Sequence, residues 1–118
     1  MTQGARIDRV GEEFREILAE EIPKLKDPRV GFVTVVGVRV SPDLRHAWVG
    51  YTSLGDDRAR AATRAALRSA KPHLRAAIGR QVRLKYLPEL EFEEDTSYEQ
   101  GRRIDELIAG LRQGEEDR

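Results

Sequence analysis

At 118 residues the chain has room for one compact domain with a modest core, and not for two. Hydrophobic residues are 39% and charged residues 36% of the total, which excludes a disordered tail, and the absence of cysteine excludes disulfides, thiolate metal sites and a cysteine nucleophile. Net charge is zero, yet residues 1–57 carry 8 positive and 10 negative side chains, residues 58–85 carry 9 and none, and residues 86–118 carry 4 and 11. A run of nine cations without an acid points to a surface aimed at a polyanion. Of the 21 cations 17 are arginine, the residue best suited to bidentate phosphate contact.

Ile7, Val10, Phe14, Ile17, Leu18, Ile22 and Leu25 recur at three- and four-residue steps, the stripe of an amphipathic helix. Glu12, Glu13, Glu16 and Glu20 fall on its opposite, wet face. Lys26-Asp27-Pro28-Arg29 is expected to end it, because the residue before a proline is pushed out of the helical region. Two runs dense in β-branched and aromatic residues follow, 32–40 and 47–52, and read as strands. Ser41-Pro42-Asp43-Leu44 between them has turn chemistry, which predicts an antiparallel hairpin.

Gly55-Asp56-Asp57 offers an N-cap to a helix from Arg58 to Ala70, rich in alanine and arginine. Pro72 has no amide hydrogen and its ring would clash with the carbonyl of Arg68, so the helix must kink or restart there and run on to a C-cap at Gly79. Residues 82–92 alternate apolar and charged, basic before Pro88 and acidic after it. That pattern predicts a third strand, with Pro88 placing it at an edge or a bulge. Thr96-Ser97-Tyr98-Glu99-Gln100 carries two overlapping capping boxes before a last helix with Ile104, Leu107, Ile108 and Leu111, and residues 114–118 read as a frayed tail. The predicted order is α-β-β-α-kink-α-β-α, an α+β domain over residues 1–113 with a three-stranded sheet packed by helices.

Arg6-Ile7-Asp8-Arg9-Val10, Asp27-Pro28-Arg29-Val30, Val38-Arg39-Val40-Ser41-Pro42-Asp43-Leu44 leading to Ala47, and Pro88-Glu89-Leu90-Glu91-Phe92 followed by Asp95 and Ser97, in that order and spacing, resemble the bacterial ribosome-binding factor A family over residues 6–111. The resemblance implies a type II KH-like fold in which an Ala-x-Gly kink stands in place of a GxxG loop. The chain has no GxxG, and at the corresponding site it reads Ala70-Lys71-Pro72, alanine matching and glycine replaced by proline. It further implies a factor that associates with free small ribosomal subunits, assists late maturation of their RNA including its 5′ region, and matters most during growth in the cold.

The residues point the same way. On one continuous helix Arg60, Lys71, Arg64, Arg75 and Arg68 would share an arc of about 80°, beside an apolar arc that includes Ala66, Leu67 and Leu74. The break at Ala70, Lys71 and Pro72 would free backbone amides where the helix dipole favours a phosphate. Arg80, Arg83 and Lys85 extend the positive surface, and Arg6 and Arg9 join it if the first helix starts nearby. The competing reading is a solvated helix whose cations pair with the acidic face of the first helix or with Glu91, Glu93 and Glu94.

Trp48, Tyr51, Tyr86 and Tyr98 are expected to be packing residues rather than stacking platforms, since they fall on or near elements of a small core. His46 and His73 read as ordinary surface histidines, and the acids of residues 89–95 as an outward-facing edge that repels nucleic acid rather than a Mg²⁺ site. No nucleophile elbow, Walker loop, dinucleotide-binding glycine pattern or HExxH occurs. The expectation is therefore a non-catalytic, cofactor-free, cytoplasmic RNA-binding protein, monomeric when free, with no membrane segment. The alternative is a protein-interaction module or homodimer in which the basic and acidic faces meet.

Overall fold

The computed structural model describes residues 3–96. Its element order is α1 (Gln3–Glu21), a 3-10 turn (Ile22–Lys24), β1 (Val33–Val40), β2 (His46–Ser53), α2 (Asp57–Ser69), α3 (Lys71–Gln81) and β3 (Glu89–Glu94). The α-helical part of α1 ends sooner than expected. Pro23, not Pro28, stops it: the ring cannot bond back to residue 19, and the chain tightens into a single 3-10 turn closed by Leu25 N to Ile22 O at 3.1 Å. The last predicted helix, with Tyr98 and Ile104 to Leu111, and the predicted tail lie outside the described residues.

β1 and β2 form the expected antiparallel hairpin, with a bulge that leaves Val36 unpaired between Val35 and Gly37. Its turn is built by short polar side chains. Asp43 Oδ1 accepts from Ser41 Oγ at 2.7 Å and from the Arg45 amide at 3.0 Å, while Leu44 takes the left-handed conformation at φ 62°. After β2 the chain crosses over through α2 and α3 and returns as β3 parallel to β2, giving a mixed sheet of order β1-β2-β3. Asp56 caps α2 as expected, its Oδ1 accepting from the Ala59 amide at 2.8 Å.

The third strand is half its predicted length. Residues 82–87 form no ladder, because β2 begins at His46, opposite Glu89; a strand running upstream of Glu89 would pass the end of its partner. Pro88, buried, ends that loop, and β3 is indeed an edge strand. Gly79 is no C-cap. The helix continues to Gln81, and the missing side chain of Gly79 makes room for Leu87, whose Cδ2 lies 2.6 Å from where a Cβ would stand.

All three helices bury their apolar stripes on one sheet face. Phe14 and Leu18 from α1, Leu67 from α2, and Leu74, Ala77 and Ile78 from α3 meet Val49, Tyr51 and Leu90, and each of these is fully buried. The opposite face carries Arg39, half-buried Trp48, Glu91 and Glu93, with no described helix over it. α1 approaches β1 so closely that a Cβ on Gly11 would stand 2.7 Å from the Val38 carbonyl oxygen.

Candidate nucleic-acid interface

The predicted break is present. Ala70 is both the C-cap of α2 and the N-cap of α3, at φ −85° and ψ −3°, and Pro72 sits in the first turn of α3. The hydrogen bonds bridge the break: the Ala70 amide donates to the carbonyls of Ala66 and Leu67 at 3.0 and 3.1 Å, and the Leu74 amide donates to the Ala70 carbonyl at 2.9 Å. The two helices therefore act as a bent rod with the cationic arc running along one side.

That arc faces β3, and here the structure departs from the expectation of an outward, repelling acidic edge. The Arg60 guanidinium lies 2.6 Å from Glu94, Arg64 3.3 Å from the same carboxylate, Lys71 3.7 Å from Glu91 and Arg75 3.3 Å from Glu89. Helix and strand run in opposite senses, so the cations meet the acids in reverse sequence order, as rungs. Arg75 is tied further by its Nε donating to the Pro88 carbonyl at 2.9 Å. Acids separated in sequence from the basic run are thus reunited with it by the parallel crossover. The competing reading, pairing with Glu91 and Glu94, holds for Arg60, Arg64 and Lys71, whereas Arg75 meets Glu89, outside that reading, and Glu93, on the open face with Glu91, lies 3.9 Å from Arg39.

Glu94 is the anchor of that row. Its side chain is 10% exposed and that of Arg60 is 16% exposed. Burial pushes the Glu94 carboxyl up, but hydrogen bonds and charge from Arg60 and Arg64 outweigh it and hold the group below the usual carboxylate range. Across the ladder Tyr51 is fully buried beside it, and its hydroxyl is pushed up by burial first and by the Glu94 charge second. Because the folded-state value of Glu94 is lowered, its stabilising contribution is present above the unfolded value, about 4.3, and disappears as pH falls through the folded one. Glu94→Gln should therefore cost on the order of 2 kcal/mol at neutral pH. The gap from the wild type should close in thermal melts below about pH 4. A gap that is constant with pH would show that the carboxylate charge is not what holds Arg60.

The remaining predicted residues are exposed. Arg68 on α2, Arg80 near the end of α3, Arg83 and Lys85 on the loop after it, and Arg6 and Arg9 on α1 make no ion pair among the described residues. Arg83 and Lys85 are loop residues, not strand residues, for the register reason given above. The fold does bring the start of α1 to them: Arg6, Arg83, Lys85 and Tyr86 line one small concavity with Asp43 and Leu44. Arg45, which no sequence signal had singled out, sits 4.4 Å from the centre of the Tyr86 ring. Tyr51 packs as expected, but Tyr86, off any strand, is 49% exposed. His46 lies against Trp48, His73 is exposed, and no group of three or more potential metal ligands occurs among the described residues. No described helix is long and apolar enough to cross a membrane.

An α-β-β-α-α-β order, a mixed sheet with helices on one face, and a bend between the two central helices define a KH-like α+β domain. Residues 6–108 match the family model described as Ribosome-binding factor A. The chain is 48% identical to the Ribosome-binding factor A of Geobacter sulfurreducens over 104 residues, 87% of this chain and 88% of that one. The solution structure of a Thermotoga maritima protein described as a putative ribosome binding factor A superposes with a TM-score of 0.71 at 35% identity, over 80% of this chain and 92% of that one. A Thermus thermophilus ribosome binding factor A, a homology model fitted into a cryo-electron microscopy map of its complex with the 30S subunit, matches with a TM-score of 0.61 at 35% identity, over 73% and 91% of the two chains. The chain belongs to the ribosome-binding factor A family.

Proposed function

We propose that this chain is a non-catalytic assembly factor that docks on free or immature small ribosomal subunits and holds ribosomal RNA in a form that permits late maturation of 16S rRNA, including its 5′ region. The observation that carries the reading is the Thermus thermophilus relative, seated on the 30S subunit and sharing this fold at 35% identity. The surface is suited to the task. Arg68, Arg80, Arg83, Lys85, Arg6 and Arg9 supply cations without acid partners among the described residues, and Arg64, though paired with Glu94, still has its side chain 53% exposed. In this reading Ala70, Lys71 and Pro72 set the bend that aims the two helices, and Lys71, Arg75 and Arg60 are a reserve held by the acidic strand. The protein acts in the cytoplasm as a monomer, without a cofactor, and contributes most to growth in the cold. The homodimer reading is weakened by the rungs along β3, since the opposite charges that would join two copies already meet within one.

Co-sedimentation of the purified protein with isolated small subunits, large subunits and joined ribosomes tests this. The expected result is selective binding to small subunits; if about six phosphates are contacted, affinity should fall on the order of a thousandfold between about 50 and 200 mM salt. Equal binding to all three particles, or a flat salt response, would overturn it. Self-association abolished by salt, without any ribosome binding, would favour the interaction module instead.

A further inference from the structure

We infer that Tyr86 and the cations around it form a subsite for one unpaired nucleotide of RNA, the base stacking at the Tyr86 ring and the flanking phosphates lying against Arg83, Lys85 and Arg6. The inference rests on the RNA-binding reading above and adds to it a place and a mode of contact. Tyr86 stands on the loop between α3 and β3, 49% exposed, where a core aromatic has no reason to be. Two cations already lie at its ring, Arg45 Cζ at 4.4 Å and Lys85 Nζ at 5.5 Å from the centroid. Neither makes an ion pair among the described residues. A guanidinium over the Tyr86 ring marks an accessible aromatic face, and nucleobases are drawn to such a face as cations are.

The surroundings select the class of ligand. The concavity beside the ring measures about 130 Å³. That is well below the 300–1,000 Å³, roughly, of a pocket that encloses a free small molecule, so its occupant is a piece of something larger presented from outside. Its one acid, Asp43, is already used by Ser41 Oγ and the Arg45 amide, which hold the carboxylate to the hairpin turn. Its carboxyl is held below the usual range, first by the Ser41 hydroxyl and then by the Arg45 amide. Against it stand Arg6, Arg45, Arg83 and Lys85. A duplex offers its bases edge-on and already stacked, whereas a looped-out nucleotide offers a free face together with phosphates on either side. An acidic peptide would satisfy the cations but leave the ring without a purpose.

The test is the affinity of purified protein for a short unstructured RNA and for a perfect RNA duplex of equal length, with Tyr86→Ala and Tyr86→Phe beside the wild type. Tyr86→Ala should weaken the single strand at least about fivefold while leaving the duplex and the salt slope unchanged, because stacking is lost and no charge is. Tyr86→Phe should keep wild-type affinity, and both should melt with the wild type, the ring being half exposed. Lys85→Gln and Arg83→Gln should each lower the salt slope by about one. Unchanged single-strand affinity in Tyr86→Ala, equal losses on strand and duplex, or stronger binding of poly-glutamate than of RNA would overturn the subsite. If small-subunit binding persists in any of those cases, the proposed function stands without it. Tyr86-dependent binding of single strands by a protein that ignores small subunits would support the subsite and sink the function.

Discussion

Reversing Arg68, Arg80 and Arg83 together to glutamate should reduce affinity for small subunits by at least about a hundredfold and lower the salt slope by about three. The same changes should leave the melting temperature within a degree or two. These three side chains lie in solvent, with no ion pair among the described residues, so their folded-state role is small and any phosphate contact is theirs to lose. Arg60→Glu should behave oppositely. It places an acid against the nearly buried Glu94 carboxylate, 2.6 Å from the present guanidinium, and should destabilise the fold before it touches binding. A third variant runs in the gaining direction: Glu89→Gln with Glu91→Gln removes the acids beside Arg75 and Lys71 and should tighten binding to any RNA, at the expense of selectivity for small subunits. Paired measurements of melting and co-sedimentation decide the matter. If the triple reversal binds like the wild type, the exposed cations are not the contact surface.

Gly11→Ala is expected to damage the fold through a single added methyl group. The added carbon would stand 2.7 Å from the Val38 carbonyl oxygen and 3.7 Å from Val40 Cγ2, so α1 would have to lift off β1 by several tenths of an ångström. Phe14 and Leu18, both fully buried, ride on the same helix and would lose their seats. Alanine returns about 1 kcal/mol in helix propensity, while overpacking against an immovable backbone atom costs about 1–3 kcal/mol or more. The net expectation is a loss of about 1–2 kcal/mol, a fall in melting temperature of about 4–15 °C. Gly79→Ala is the control. Its Cβ would meet Leu87 Cδ2 at 2.6 Å, but that is the tip of a flexible side chain, 42% exposed, which can swing aside. That variant should melt at or above the wild type, and a wild-type melt for Gly11→Ala would refute the close approach of α1.

How much of this was legible beforehand depends on the sequence distance over which each feature is made. The Asp56 cap, the Ser41–Asp43 turn and the Pro72 break each involve neighbours within a few residues, and all are read correctly from local chemistry. Pro23 is equally local, but the apolar stripe continues past it through Ile22 and Leu25, both still packed on the core, so periodicity alone carries the helix too far. The length of the third strand was not local. Residues 82–87 alternate like a strand, but a strand needs a partner, and the partner's start at His46 is set by a hairpin some forty positions earlier.

The α+β class, the order of elements as far as β3, the bend, and the acid-free run of nine cations can all be read from the chain alone. These follow from periodicity, capping, proline geometry and composition, none of which needs a long-range contact. Only the tertiary structure decided which cations remain available. The Arg60–Glu94 contact spans 34 residues, and it exists because the crossover returns β3 parallel to β2, alongside the helices that carry the basic arc. The same closure brings Arg6, Arg45 and Tyr86 together from three separate segments. Charge along a chain adds up the same in any fold, but the attraction between two charges weakens with distance and is screened beyond about 10 Å, and those distances are set by packing.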